Sequence, residues 1–156
     1  MRRNDQLEDR QAELGEILDA LSRMEQALAR AKSADFQERV RGLLALGALE
    51  HNLNGIAEHC QSQDHQAESS FRDDLNGAEN LCMTSEHAEI ERLLRHFREE
   101  LESATADAAA TISLSGKELT RQIRAHVRNE RKMLERLEAP EPVTEEILLR
   151  YTESPD

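Results

Sequence analysis

The chain has 156 residues, enough for one domain with a core that needs no disulfide or metal to hold it together. Charged residues make up 33% of the sequence and aromatic residues only 3%, so Leu and Ala supply most of the core, as in helical bundles. The net charge of −12 argues against a protein that binds nucleic acid or anionic membrane surfaces, because both need clustered Lys and Arg.

The first predicted helix covers residues 4–32. Apolar residues recur along it in a heptad pattern, which is typical of a helix that packs along one seam. The seam comprises Leu7, Leu14, Leu21 and Leu28, alternating with Ile17, Met24 and Ala31.

The second predicted helix covers residues 36–70 and begins after Asp35, an N-cap followed three residues later by Glu38. Its apolar face changes direction between the first and second halves of the segment. That change predicts a bend, a break near Gly55, or burial on two sides, and the sequence does not choose among them.

Residues 72–84 predict a loop, because Asp and Asn-Gly are frequent there. Thr84 or Ser85 would cap a third helix over 85–110. Ser115 and Glu118 have the spacing of a capping box and predict a fourth helix over 116–138.

These segments predict an all-α fold, an antiparallel up-down-up-down four-helix bundle over residues 1–140. Residues 141–156 would form a short helix and an acidic tail. The first residues include no apolar signal segment, and no apolar run approaches the roughly 20 residues that span a bilayer. Because Cys60 and Cys82 lack CxxC spacing, we expect reduced thiols and a soluble, cytoplasmic protein.

The most informative residues are His126 and Glu130, which lie one turn apart inside the apolar stripe of the fourth helix. An ionised carboxylate there is costly unless it is paired, protonated or bound to a cation. A second pair with the same spacing, His87 and Glu91, lies on the preceding helix. On the second helix His59 borders the apolar face, and Gln63 follows it one turn later.

Two interpretations of these pairs stay open. They could bind a metal ion between helices, where mixed imidazole and carboxylate ligands suit iron, manganese or zinc. They could equally be satisfied polar residues in a metal-free bundle. The pair His96 and Glu100 has the same spacing but lies outside the apolar face, so we expect it to be a surface ion pair.

Three segments resemble bacterial hemerythrin-like (HHE cation-binding) domains. Residues 85–94, SEHAEIERLL, resemble the third helix of that family, and residues 119–130, LTRQIRAHVRNE, resemble its fourth. Leu53, Ile56 and His59 are similar to part of its second-helix motif. The first helix departs from the pattern, because Gln11 and Leu14 occupy the region where the family carries a ligand histidine.

The resemblance implies a cytoplasmic bundle that binds iron, mononuclear or di-iron, and senses or carries oxygen, nitric oxide or redox equivalents. Gln63 replaces the family's second-helix glutamate, which bears on how many ions bind. The ligands implied here are His59, His87, Glu91, His126 and Glu130.

Two other functions compete with this prediction. A metal-free interaction or adaptor protein would use the leucines of the first helix to form a homodimer or bind a protein partner. A histidine-phosphotransfer domain would use His51, since His51-x-Leu53-x-Gly55 is similar to that family's motif, although Asn54 stands where Lys is usual. The sequence contains no phosphate-binding loop or nucleophile motif, so we do not expect an enzyme.

Overall fold

The computed structural model of the protein describes residues 3–65 and 70–139, and every regular element in these ranges is a helix. The elements in chain order are α1 (Arg3–Ala31), α2 (Phe36–Ala48), α3 (Glu50–His65), α4 (Ser70–Asp73), α5 (Gly77–Glu102), a 3-10 turn (Ala106–Ala108) and α6 (Ala109–Glu138). The predicted all-α class is confirmed. The short helix and acidic tail predicted for 141–156 lie outside the described residues.

The helix α1 packs against α2 and α6, while α5 packs against α6 and α3. The heptad leucines of α1 all face inward and form part of one continuous core. Gly42 of α2 allows close contact with α1, since a Cβ there would lie 2.5 Å from the backbone nitrogen of Ala31. The prediction that Leu7, Leu14, Leu21 and Leu28 form an association surface is therefore wrong, because the chain itself buries them.

The second predicted helix is interrupted at Leu49. This residue ends α2 with a backbone N–H that reaches the carbonyl of Leu46 at 3.1 Å, and α3 begins at the next residue. Gly55 lies inside α3, so the break is not at the glycine. The predicted cap at Asp35 is confirmed, as its side chain accepts from the backbone N–H of Gln37 at 2.8 Å.

The helix α5 begins earlier than expected, at Gly77, so the loop predicted over 72–84 is confined to residues 74–76. Asn76 accepts a hydrogen bond from the backbone of Glu79, whose side chain accepts one from the backbone of Asn76. Asn-Gly is often a hairpin turn, but here the asparagine is an N-cap because a glutamate follows at the third helical position.

The helix α6 also begins earlier, at Ala109, so Ser115 lies within it and the predicted capping box is wrong. Glu118 instead accepts from the guanidinium of Arg121 at 2.5 Å. The alanines that precede Ser115 favour continuation of the helix. No helix in 3–65 or 70–139 is both long and apolar enough to cross a membrane.

Candidate metal centre

The helix α6 directs His126 and Glu130 into the core, as their place in the apolar stripe predicts. His126 is 2% exposed and Glu130 is fully buried. The Nε2 atom of His126 lies 3.2 Å from Oε2 of Glu130. A buried carboxylate thus lies beside an imidazole of its own helix.

Two more imidazoles reach this carboxylate region from other helices. His59 of α3 places its Nε2 3.0 Å from the same oxygen, Oε2 of Glu130. His87 of α5 is fully buried, and its Nε2 lies 3.3 Å from Nε2 of His126. Residues from α3, α5 and α6 therefore meet at one point in the core.

Carboxylates hold the outer nitrogens of two of these rings. The Nδ1 atom of His59 donates to Glu13 Oε1 of α1 at 2.8 Å, and Nδ1 of His126 donates to Glu86 Oε2 of α5 at 2.7 Å. A carboxylate can only accept, so the proton lies on Nδ1 and the ring is oriented with Nε2 toward Glu130. Histidines that bind metal ions commonly donate their other ring N–H to a carboxylate in this way.

Sequence reasoning missed Glu13 and Glu86. Glu13 belongs to no motif, Glu86 lies in the segment 85–94 but carries no predicted role there, and each meets its histidine across a separation of about 40 residues or more. Glu86 directly precedes His87, but adjacent helical residues point in different directions. Only the packing of one helix against another brings each glutamate to its histidine.

Gln63 of α3 is also buried at the centre. Its Nε2 donates to Oε1 of Glu130 at 2.5 Å, whereas its own Oε1 has no hydrogen-bond partner among the described groups. The two oxygens of Glu130 are thereby distinguished, with Oε1 held by an amide and Oε2 facing two imidazoles. An unpaired buried acceptor is rare and commonly marks a place that water or an ion completes.

The site favours positive charge at the imidazoles. Burial alone lowers the pKa of His59, but hydrogen bonds to Glu13 and Glu130, together with their charges, raise it to about 9. The pKa of His126 is also raised, because Glu130 and Glu86 outweigh burial. Burial raises the pKa of Glu130, yet the two histidines outweigh it and hold that pKa well below its usual range.

The donor atoms of His59, His126 and Glu130 all lie within 4.8 Å of one another, so this group could hold a metal ion. Ligand atoms about 2.1 Å from one ion are separated by about 3.0 Å at right angles and about 3.4 Å at tetrahedral angles. Within this group the separations of 3.0 and 3.2 Å from Glu130 Oε2 fall in that interval, and so does the 3.3 Å between Nε2 of His87 and Nε2 of His126. The same separations also fit hydrogen bonds of a metal-free, doubly protonated pair of histidines.

The structure does not bring every predicted site residue to this centre. Glu91 is half-buried and lies outside the group formed by the described residues, because the inward face of α5 runs through His87, Ile90 and Leu94. His51 is exposed on α3. The expected surface pair is confirmed, with His96 Nε2 3.2 Å from Glu100 Oε1.

The cysteines take no direct part in the centre. Neither forms a disulfide in the described residues, and Cys60 is buried while Cys82 is partly buried. Cys82 donates from Sγ to Glu86 at 3.3 Å, and burial together with that carboxylate raises the pKa of the thiol. A thiol with a raised pKa is less reactive as a nucleophile. The contribution of Cys82 to the centre is therefore structural, through its hydrogen bond to Glu86.

Comparison of the chain with protein-family models, with curated proteins and with solved structures found no match. The function must therefore be argued from the geometry of the centre and from the residues that form it.

Proposed function

We propose that the protein is a hemerythrin-like metal-binding bundle that holds a single transition-metal ion, iron, through His59, His87, His126 and Glu130. The observation that carries the proposal is that two imidazoles, those of His59 and His126, face one buried carboxylate, with the Nδ1 atom of each held by an outer glutamate. The third imidazole, that of His87, lies against His126. Imidazole and carboxylate ligands together suit iron, manganese or zinc better than calcium or magnesium.

Charge balance supports a divalent ion. Without metal, His59 and His126 each place an Nε2 proton against Glu130. One divalent ion at that position replaces two protons and leaves the net charge of the buried cluster unchanged, and metal binding generally releases protons from its ligands. The cluster is thus electrostatically suited to exchange two protons for one ion.

The described residues support one ion rather than two. Glu130 is the single carboxylate in the group, and Gln63 places an amide nitrogen where a second carboxylate would be needed. Glu91 lies outside the centre, so α5 contributes His87 alone. This is where the proposal departs from a di-iron site.

We also propose that the long helices follow one another in up-down-up-down order. Glu79, near the start of α5, pairs with Arg136, near the end of α6, at 2.5 Å. At the opposite end of this helix pair, a Cβ on Gly116 would contact the ring of Phe97. Contacts of this kind support antiparallel packing, which brings the middle of each helix to the same level.

A bound ferrous ion would supply a coordination position for oxygen or nitric oxide, and the role in gas or redox sensing or carriage follows from the resemblance to hemerythrin-like domains. The chain's own residues bind the ion, orient the imidazoles and exclude bulk water. Phosphotransfer through His51 is not favoured, because Glu13, Glu16 and Glu58 line the same cavity as His51 and would repel a phosphoryl group.

The deciding experiment is elemental analysis of protein purified from iron-replete cells, before and after anaerobic reconstitution with ferrous iron. We expect about one iron per chain, lost in His126→Ala and in Glu130→Ala because each removes a ligand. Addition of nitric oxide should change the absorption spectrum of the ferrous protein. Less than about 0.1 metal per chain, with no gain on reconstitution, would contradict the proposal.

A further inference from the structure

A cavity of about 420 Å³ lies between α1 and α3, and it reaches His59 of the buried centre. Its lining includes Glu13, Glu16, His51, Gly55, Glu58 and His59. Glu16, His51 and Glu58 are exposed, so the cavity is continuous with solvent, whereas His59 is 3% exposed. His59 therefore both lines this cavity and contacts Glu130.

The two nitrogens of His59 face in these two directions. Nδ1 donates to Glu13, which lines the cavity, and Nε2 lies 3.0 Å from Glu130 inside the core. The side chain of Glu13 is 45% exposed, and His59 is the one hydrogen-bond partner that the described residues give it. A small movement of Glu13 would free the Nδ1 atom of His59 without breaking any contact in the α5–α6 pair.

The composition of the cavity suits a cation. Three carboxylates line it, and no Lys or Arg is among its lining residues in the described part of the chain. Carboxylates around a cleft raise the local concentration of cations and speed their association.

Gly55 provides an observation independent of charge. Gly is among the poorest helix formers, yet Gly55 lies in the interior of α3. A Cβ built at this position meets nothing within 4 Å, so the absent side chain leaves space that belongs to the cavity. Neither the core nor the turn at Leu49 requires a glycine here.

We propose that this cavity is the port through which a divalent cation enters and leaves the buried centre, with His59 and Glu13 as its inner boundary. The inference rests on the proposed metal-binding function and adds the route and the residues that line it. It also accounts for Gly55, which the ligand set leaves unexplained.

The test is stopped-flow measurement of Co²⁺ binding to the full chain, followed by removal of Co²⁺ with a chelator. Gly55→Leu fills the port, and we expect association and dissociation both to slow by about tenfold while the dissociation constant stays unchanged. The double variant Glu16→Gln and Glu58→Gln should lower the association rate and weaken its dependence on ionic strength, because salt screens these carboxylates.

Two controls match these variants. Gly47→Leu makes the same substitution in α2, where a Cβ also meets nothing within 4 Å, and it should not change either rate. Glu99→Gln with Glu102→Gln removes the same charge from exposed positions of α5, away from the port. Leu is a better helix former than Gly, so Gly55→Leu should melt no lower than the wild type, as circular dichroism will show.

The outcomes separate the two proposals. A wild-type chain that binds no Co²⁺ at equilibrium overturns both. A chain that binds Co²⁺ with rates that Gly55→Leu leaves unchanged overturns the port alone and leaves the centre in place. If Gly47→Leu slows Co²⁺ association and dissociation as much as Gly55→Leu does, the port is also overturned.

Discussion

The two histidines that face Glu130 are held in different ways. His126 donates to Glu86, which is 13% exposed and also accepts from Asn129 and from Cys82. His59 donates to Glu13, which is 45% exposed and borders an open cavity. The outer nitrogen of His126 is thus held by a largely buried network, and that of His59 by a single hydrogen bond at the surface.

This difference indicates a division of roles. The pair α5 and α6 supplies His87, His126 and Glu130 together with the network around Glu86, so three of the four proposed ligands come from one packed pair of helices. The helices α1 and α3 supply Glu13, Gln63 and one proposed ligand, His59. We infer that the first pair determines whether the ion binds and that the second governs how fast it exchanges.

The largest expected effect comes from Glu130→Gln, which removes the carboxylate that both sides share. Metal affinity should fall by more than about 100-fold, because the only anionic donor of the group is lost. The metal-free protein should also lose about 3–5 kcal/mol of stability, as expected when one partner of a buried charge cluster is removed. Co²⁺ titration and urea unfolding measure the two effects.

Glu91→Gln is the matched control for that substitution. It makes the same chemical change on α5, at a residue that the spacing alone predicts as a ligand and that lies outside the centre. Affinity and stability should stay at the wild-type values. A loss of metal in Glu91→Gln comparable to that in Glu130→Gln would show that Glu91 is a ligand after all.

The sequence was sufficient for the all-α class and for the central place of His126 and Glu130, because helical periodicity alone puts both in the apolar stripe of α6. Capping-box spacing predicted the helix starts less well, because it occurs both at a cap and inside a helix. Ser115 and Glu118 have capping-box spacing but lie inside α6, while Asn76 and Glu79 form the real box at the start of α5.

The outer part of the centre could not be predicted for a different reason. Glu13 and Glu86 bond His59 and His126 across helices, and such contacts depend on packing angle and register. Glu91 shows the converse error. Its spacing from His87 suits a shared ion, but a small angular displacement around α5 leaves it half-buried and outside the centre.

The next effect is a pH dependence of the metal-free protein, measured with a chelator present. The pKa of His59 is raised from 6.5 to about 9 by Glu13 and Glu130, so its contribution is complete below pH 6.5 and is lost as the pH rises through 9. That contribution amounts to at most about 3 kcal/mol. The lowered pKa of Glu130 acts in the opposite sense, and its contribution is lost as the pH falls below the ordinary range of Glu.

Urea unfolding should therefore show a lower free energy of unfolding at alkaline pH, above the pKa of His59, and at acid pH, below the ordinary range of Glu. In Glu13→Gln the alkaline loss should shrink, because His59 keeps only one of its two carboxylate partners. A wild-type protein equally stable at pH 7 and pH 10 would contradict the assigned hydrogen bonds of His59.

A smaller effect distinguishes the two outer glutamates directly. Glu86→Gln should weaken metal binding by about 10- to 100-fold, the usual consequence of losing a carboxylate that orients a ligand histidine. Glu13→Gln should weaken it by less than about tenfold, because an exposed hydrogen bond in water contributes less than a buried one. Competition titration with a chelator of known affinity gives both values, and equal losses would contradict the division of roles.

The smallest expected effect concerns the thiol behind Glu86. Cys82→Ala removes the Sγ donor, which lies 3.3 Å from Glu86, and leaves the bonds from His126 and Asn129 in place. A thiol is a weak donor, so metal affinity should fall by less than about threefold. Asn129→Ala removes the stronger amide donor and should have the larger effect of the two. If Cys82→Ala weakens binding as much as Glu86→Gln does, then the thiol is indispensable for holding Glu86, and the fixed side of the centre depends on its weakest hydrogen bond.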